Sequence, residues 1–149
     1  HFWLFNKGCL QLGAYPDMPE TVEMTPVDHL ARSIAALALA PRKELLVANL
    51  SNPATLSLRA FFAALAGCGF TAKAEPPAEW QKRLASIGEE NALSQIKDFY
   101  TGDLSAAPLP VEQTATLAAL GALGVGSAPS YEILLPLYLN YFKAEGFLK

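Results

Sequence analysis

The stretch from Met24 to Ala40, MTPVDHLARSIAALALA, constrains the fold most strongly, because it carries both a helix start signal and a helical apolar pattern. Thr25 can act as the N-cap residue, and Pro26 suits the first helical position, where its missing N–H costs nothing. Asp28 lies three residues after Thr25, which completes a capping box and places negative charge at the positive end of the helix dipole. The apolar residues that recur at helical spacing are Val27, Leu30, Ile34 and Leu37. The sequence therefore predicts a core helix here.

Composition limits the class of protein before any other motif is considered. Apolar residues make up 52% of the 149 residues and the formal net charge is −3, which indicates a folded soluble domain and argues against nucleic-acid binding. No apolar run reaches the roughly 18 residues that a membrane-spanning helix needs. Cys9 and Cys68 provide neither a disulfide framework nor a metal-ligand spacing, so we interpret them as buried thiols of a cytoplasmic protein.

The segment after this helix predicts a small parallel sheet. Residues 45–50, LLVANL, form a continuous apolar run that favours a strand covered on both faces. A helix over residues 56–66 and a second short strand over residues 70–74 follow. Strand, helix and strand in this order predict a βαβ unit with parallel pairing and a right-handed crossover.

The rest of the chain is dominated by helical patterns. Further helices are expected over residues 1–13, 77–87, 89–100, 114–123 and 131–144. Their expected inward residues include Leu93, Ile96, Phe99 and Tyr100, and, near the C-terminus, Leu134, Leu137, Tyr138 and Tyr141. Residues 102–111 are the only linker-like segment and are expected to cross the surface of a single domain, 1–149. The predicted fold class is α+β and mostly helical, with about six helices and the small βαβ unit.

Several of these motifs together resemble a known family. The run tPVD-hlAr-si-aLA is followed by the apolar segment and by Ser51-Asn52-Pro53, while Glu79-Trp80 follows the second predicted strand. In this order and spacing the motifs resemble the C-terminal half of thioester reductases. These are extended short-chain dehydrogenase/reductase domains that end nonribosomal peptide and polyketide assembly lines, and they are related to carboxylic acid and aminoadipate reductases. The resemblance covers about Phe2 to Tyr100, and continues more weakly to the C-terminus.

The resemblance implies a function and a set of substrate-binding residues. A complete domain of this family takes an acyl or peptidyl chain from the phosphopantetheine thiol of a carrier protein and reduces the thioester with NADPH to an aldehyde or alcohol. This chain would supply one wall of the acyl channel and part of the carrier docking surface. The wall residues implied are Phe2, Phe5, Gln11, Tyr15 and Trp80. For Trp80 a role as a packing anchor is the main alternative.

The chain lacks the motifs that such a reductase needs for its chemistry. The Gly-rich run Gly121-Ala-Leu-Gly124-Val-Gly126 closes a predicted helix, whereas a dinucleotide loop must follow a strand and open a helix. No tyrosine has a lysine four residues further on, so the Tyr-x-x-x-Lys proton donor is missing. We therefore expect no catalytic, cofactor-binding or metal-binding residues here, and we interpret the chain as part of a longer protein whose upstream Rossmann half would bind NADPH.

Two other functions remain open. The chain could be a noncatalytic helical module that binds an acyl carrier protein or another partner by itself. It could also belong to a related extended short-chain enzyme that acts on sugars or sterols. In either case we expect no nucleic-acid or membrane partner, and a surface left by a missing half would allow the chain to pair with itself as a homodimer.

Overall fold

The computed structural model describes residues 1–40, 47–105 and 109–148. These residues group into two compact units, each built from segments distant in sequence. The first unit comprises residues 1–22 and 56–105 with Leu148, and the second comprises residues 23–40, 47–55 and 109–147. The described residues contain six α-helices and one two-stranded parallel sheet, so the prediction of a mostly helical chain with a small parallel sheet is confirmed.

The helices and strands of the described residues are short. The α-helices are α1 (Phe2–Leu12), α2 (Val27–Leu39), α3 (Leu58–Gly67), α4 (Pro77–Ala85), α5 (Thr114–Ala122) and α6 (Tyr131–Ala144). The strands are β1 (Ala14–Pro16), β2 (Thr21–Val22), β3 (Leu56–Ser57) and β4 (Lys73–Glu75). Helices α1, α3 and α4 belong to the first unit with all four strands, and α2, α5 and α6 belong to the second.

The parallel strands are β1 and β4. The predicted pairing of residues 45–50 with residues 70–74 is therefore wrong, because the partner of the later strand is β1. Ala14 pairs with Lys73 and Pro16 with Glu75, while β2 and β3 form a separate antiparallel pair. Residues 47–50 of the predicted first strand lie in no helix or strand, and its residues 45 and 46 are outside the described residues. The sequence around Tyr15-Pro16-Asp17 has strong turn signals, which conceal a strand of only three residues.

The core of the first unit forms around α3, as its apolar pattern predicts. The Ser57 hydroxyl accepts from the Ala60 N–H at 3.2 Å and caps the N-terminus of α3. Phe61 and Phe62 are buried, and the Phe62 ring stacks on Tyr15 with centroids 4.0 Å apart. The buried apolar side chains of the three helices are Phe5, Cys9, Leu58, Phe61, Phe62, Leu65, Trp80 and Leu84.

The predicted helix over residues 89–100 is instead two 3₁₀ helices, Ala92–Gln95 and Lys97–Tyr100. The Asn91 side-chain oxygen accepts from the Leu93 N–H at 2.9 Å, and such a local bond competes with α-helix formation. Leu93 and Ile96 are buried as expected, but Phe99 is 73% exposed because the expected α-helical face does not form.

Helix α2 forms where the sequence predicts it, but its start and its buried face differ from the prediction. Pro26 is the N-cap residue, and the Thr25 hydroxyl donates to Glu23 Oε1 at 2.5 Å and accepts from the Asn52 N–H at 2.9 Å. The predicted capping box is therefore absent, since the Thr25 hydroxyl is used by a distant residue. Val27 and Ile34 are 80% and 51% exposed, so the predicted core helix has a largely exposed apolar face.

A buried asparagine joins three segments of the second unit. Asn52 is 1% exposed, and its Nδ2 donates to the carbonyl oxygens of Met24 at 2.8 Å and Pro129 at 2.9 Å. Its Oδ1 accepts from the Ala54 N–H at 3.0 Å, so the side chain uses both of its ends. This geometry gives Ser51-Asn52-Pro53 a structural role, because it links the entry to α2 with the entry to α6.

Helix α6 has the predicted bounds and contains Pro136 in its interior. Its buried residues are Leu134, Leu135 and Leu139. Leu137 and Tyr141 were expected to face inward but are 61% and 59% exposed. Apolar residues occur all round this helix, so periodicity alone does not select the buried face.

Gly8 lies where α1 contacts the first 3₁₀ helix. A Cβ at Gly8 would overlap Leu93 Cγ and lie 2.6 Å from the Leu93 backbone nitrogen. We expect Gly8→Ala to lower the free energy of unfolding by about 1–3 kcal/mol through overpacking. Gly67→Ala, at the end of α3, is the matched control because a Cβ there meets nothing within 4 Å. Urea denaturation of both variants checks this, and equal stabilities would contradict the packing described.

The Asn52 bonds predict a large effect of its removal. Asn52→Ala leaves two carbonyl oxygens and one N–H without their side-chain partner, so we expect a loss of roughly 2–4 kcal/mol in the free energy of unfolding. Asn49→Ala is the control, since Asn49 is exposed and donates a single bond, to the Glu112 carbonyl oxygen. Denaturant titrations compare the two, and a smaller loss for Asn52→Ala than for Asn49→Ala would show that Asn52 does not join the three segments.

Candidate functional site

All five residues predicted to bind substrate lie in the first unit, on or next to α1, β1 and α4. Phe5, Tyr15 and Trp80 are buried, Phe2 is half-buried and Gln11 is exposed. The Phe5 ring lies 6.1 Å from Trp80 and 4.9 Å from Tyr100, so these three rings form one aromatic cluster. The structure thus brings Phe5 and Trp80 together in the core.

Trp80 is held by a hydrogen bond from its indole and by contacts with neighbouring rings. It is 0% exposed, and its Nε1 donates to the Ala14 carbonyl oxygen at 3.2 Å. The Tyr100 ring meets the indole edge to face, with centroids 5.9 Å apart. This geometry fits a packing anchor that holds α4 against β1, and contact with a substrate remains a prediction for Trp80.

The other predicted residues occupy different positions around α1. Gln11 Oε1 accepts from the Ala92 N–H at 2.8 Å, which ties the end of α1 to the first 3₁₀ helix. The Phe2 ring lies 5.4 Å from Phe61, and Tyr15 stacks on Phe62. Gln11 and Phe2 are the two of the five that keep accessible surface, so they are the members of the set best placed to meet a ligand.

Tyr15 and Tyr100 do not have the electrostatics of a catalytic proton donor. Burial raises the pKa of Tyr100 well above its usual value, and the Glu20 and Cys9 charges raise it further. Burial also raises the pKa of Tyr15, where Arg59 lowers it and Asp17 raises it. A reductase of this type needs a lysine that lowers the tyrosine pKa. These shifts have the opposite direction, so both phenols remain protonated at neutral pH.

The second unit contains a cavity of about 460 Å³ that the sequence did not reveal. Its walls come from the first half of α2, from residues 49–53, and from α5 with the loop that follows it. His29 and Ser33 contribute from α2, with the Ser33 hydroxyl donating to the His29 carbonyl oxygen at 2.9 Å. The sequence features that could have indicated this cavity are Ser51-Asn52-Pro53 and the Gly-rich run. They become neighbours only through long-range contacts.

The Gly-rich run lines this cavity, which the sequence did not predict, and it closes α5, which the sequence did predict. Gly124 has a φ of 75°, in the left-handed region where glycine is favoured, and the Val125 N–H donates to the Leu120 carbonyl oxygen at 2.9 Å. The run is thus a helix C-terminus, which presents carbonyl groups rather than the N–H groups that hold a pyrophosphate. Within the ranges that the structure describes, no acidic, histidine and cysteine cluster suits a metal ion, and no helix is long and apolar enough to span a membrane.

Comparison with known proteins identifies relatives of the chain. It is 31% identical over 156 aligned residues to an L-2-aminoadipate reductase of Schizosaccharomyces pombe, an alignment that includes 95% of the chain. The same fold occurs in the terminal R domain of the myxalamid PKS-NRPS pathway, with a TM-score of 0.85 over 98% of the chain and 24% identity. The chain is related to part of a thioester reductase domain. The family that the sequence motifs indicated is thereby confirmed.

A second solved structure has the same fold as this chain. It is a thiolation-reductase di-domain from an archaeal non-ribosomal peptide synthetase, with a TM-score of 0.77 over 99% of the chain and 23% identity. No protein-family profile matches the chain. The chain spans 11% of the length of the aminoadipate reductase, 38% of the R domain structure and 31% of the di-domain structure.

The two tryptophans test whether Trp80 faces a ligand channel or the core. In the Trp3→Phe variant, Trp80 is the remaining tryptophan, and we expect its emission to resist iodide because the indole is fully buried. The Trp80→Phe variant is the matched control, since the half-buried Trp3 then reports a more accessible site. Stern–Volmer constants compare the two variants. Stronger quenching of Trp80 than of Trp3 would place Trp80 at an open surface.

Proposed function

We propose that the chain is the C-terminal, substrate-binding portion of an NADPH-dependent thioester reductase domain. The complete domain would release a carrier-bound acyl or peptidyl chain reductively, as an aldehyde or alcohol. The observation that carries this proposal is the 31% identity to an aminoadipate reductase across 95% of the chain. The R domain fold, present over almost the entire chain, supports it.

In this proposal the chain binds and positions the substrate but supplies neither hydride nor proton. The Gly-rich run does not fit a dinucleotide, because it forms the end of α5. The sequence has no Tyr-x-x-x-Lys, and the pKa of Tyr100 is raised rather than lowered. The residues that hold NADPH and donate the proton would therefore belong to an upstream Rossmann half, outside these 149 residues.

The substrate wall would be formed by the accessible members of the predicted set and their buried supports. Phe2 and Gln11 would contact the acyl chain, since both keep accessible surface at α1. Phe5, Tyr15 and Trp80 would hold α1 and β1 in place beneath them. Many binding sites are built in this way, with a rigid apolar support that positions a few groups in contact with the ligand.

The partners proposed are the upstream Rossmann half and a phosphopantetheinyl carrier protein, in the cytoplasm. The exposed apolar residues of α2, among them Val27 at 80%, Ile34 at 51% and Leu39 at 84%, support a covered position for this helix in a larger protein. Pairing of two copies through the same surface is the alternative that an isolated chain would allow.

The test is reduction by a protein that contains this chain together with an upstream nucleotide-binding half. We expect NADPH oxidation with an acyl chain on its carrier protein, and no oxidation by the 149-residue chain alone, because the latter lacks the proton donor motif. Absorbance of NADPH measures the rate, and the free carboxylic acid is the control substrate. Carrier binding without any reduction by the joined protein would favour the noncatalytic module instead.

A further inference from the structure

Helix α6 presents a second apolar face, opposite to the face that is buried in the second unit. Ile133, Leu137 and Tyr141 are 59%, 61% and 59% exposed. They are spaced four residues apart, so they form one stripe along the helix. Pro136 and Ala144 are also exposed and lie beside this stripe. An exposed apolar stripe of this length marks a surface on which another protein element packs.

The charged residues of α6 lie at its two ends. Glu132 is in the first turn and Lys143 is in the last, and the helix sequence YEILLPLYLNYFKA contains no other charged residue. Lys143 follows Glu132 by eleven residues, about three turns at 3.6 residues per turn, so both lie on the same flank of the stripe. A hydrogen bond with the Ser130 hydroxyl lowers the pKa of Glu132, so its carboxylate is ionised at neutral pH. One flank of the stripe therefore begins with a negative charge and ends with a positive charge.

This pattern is self-complementary in an antiparallel pair of helices. Leu137 lies midway between Ile133 and Tyr141, so a two-fold axis beside Leu137 sets Ile133 opposite the partner's Tyr141. The same axis brings Glu132 level with the partner's Lys143 at both ends of the pair. In a parallel pair each charge would instead lie level with its own copy. Contacts between identical chains about a two-fold axis require self-complementarity of this kind.

We propose that two copies of the chain associate through α6, antiparallel to each other and related by a two-fold axis at Leu137. The occupant of the exposed stripe is thus a second copy. The arrangement also places the N-terminal end of each helix dipole beside the C-terminal end of the other. A pair of 14-residue helices buries less than the roughly 1,200 Å² of a stable interface, so we expect a dimer with a Kd on the order of 10–100 µM. The proposal does not depend on the reductase function and does not use the exposed face of α2.

Sedimentation velocity of the 149-residue chain over about 1–500 µM measures the association, and the chain should pass from monomer to dimer in this range. Leu137→Asp should raise the Kd at least about thirtyfold, because it brings two carboxylates together at the centre of an apolar contact. Leu109→Asp is the matched control, since Leu109 is 90% exposed outside the helices and strands, and it should leave the Kd unchanged.

Charge reversal tests the antiparallel register. Glu132→Lys and Lys143→Glu should each raise the Kd about tenfold, because each replaces two attractions across the axis with two repulsions. The double variant with both changes should restore the Kd, since opposite charges then face each other again. Glu145→Lys, just past the end of α6, makes the same change of charge off this flank and is the control. Circular dichroism checks that each variant is folded.

Cross-linking identifies the neighbouring residues directly. In a Cys68→Ser background the remaining cysteine is buried. A mixture of Ile133→Cys and Tyr141→Cys chains should then form a dimer with a short bismaleimide, whereas neither variant alone should. A chain that stays monomeric at every concentration would overturn the proposal, as would a double charge variant that does not recover. A dimer weakened by Ile34→Asp on α2 but not by Leu137→Asp would place the contact on α2 and overturn it as well.

Discussion

The first unit depends on a three-residue strand that is buried along its whole length. Strand β1, Ala14–Pro16, is buried at every position and pairs with β4 along its length. The Trp80 indole donates to the Ala14 carbonyl oxygen, and Tyr15 stacks on Phe62. Because β1 follows α1 directly, these contacts also fix the helix that carries most of the predicted substrate-binding residues. Backbone pairing, one indole hydrogen bond and one ring stack therefore position the candidate site.

The second unit depends on a buried side-chain amide. This amide bonds to backbone groups that lie outside the helices and strands. The carbonyl groups of Met24 and Pro129 lie outside the helices, and without Asn52 they would lose this hydrogen-bond partner. An asparagine suits this position because its side chain carries two donors and an acceptor. The following residue, Pro53, has no backbone N–H and therefore needs no acceptor there. The cavity beside Asn52 thus follows from how the chain satisfies its own backbone.

The sequence predicted local features well and long-range ones poorly. Helix α1 with its end at Gly13, the buried face of α3 and the bounds of α6 follow from apolar spacing and turn residues within each segment. Thr25 was misassigned as a cap because its hydroxyl bonds to Asn52, 27 residues away. Strand β1 was missed because its partner lies near residue 74, and the cavity because its walls come from three separate segments. A local sequence pattern carries no information about which distant residues will become neighbours.

The exposed face of α2 is where the sequence pattern and the structure of this chain disagree most. The spacing of Val27 and Ile34 is that of a helix packed on one side, yet both are more than half exposed. Burial of apolar surface stabilises by about 25 cal/mol per Å². A helix with this pattern therefore gains stability from any partner that covers the stripe. The upstream half that we propose for the reductase would be such a partner.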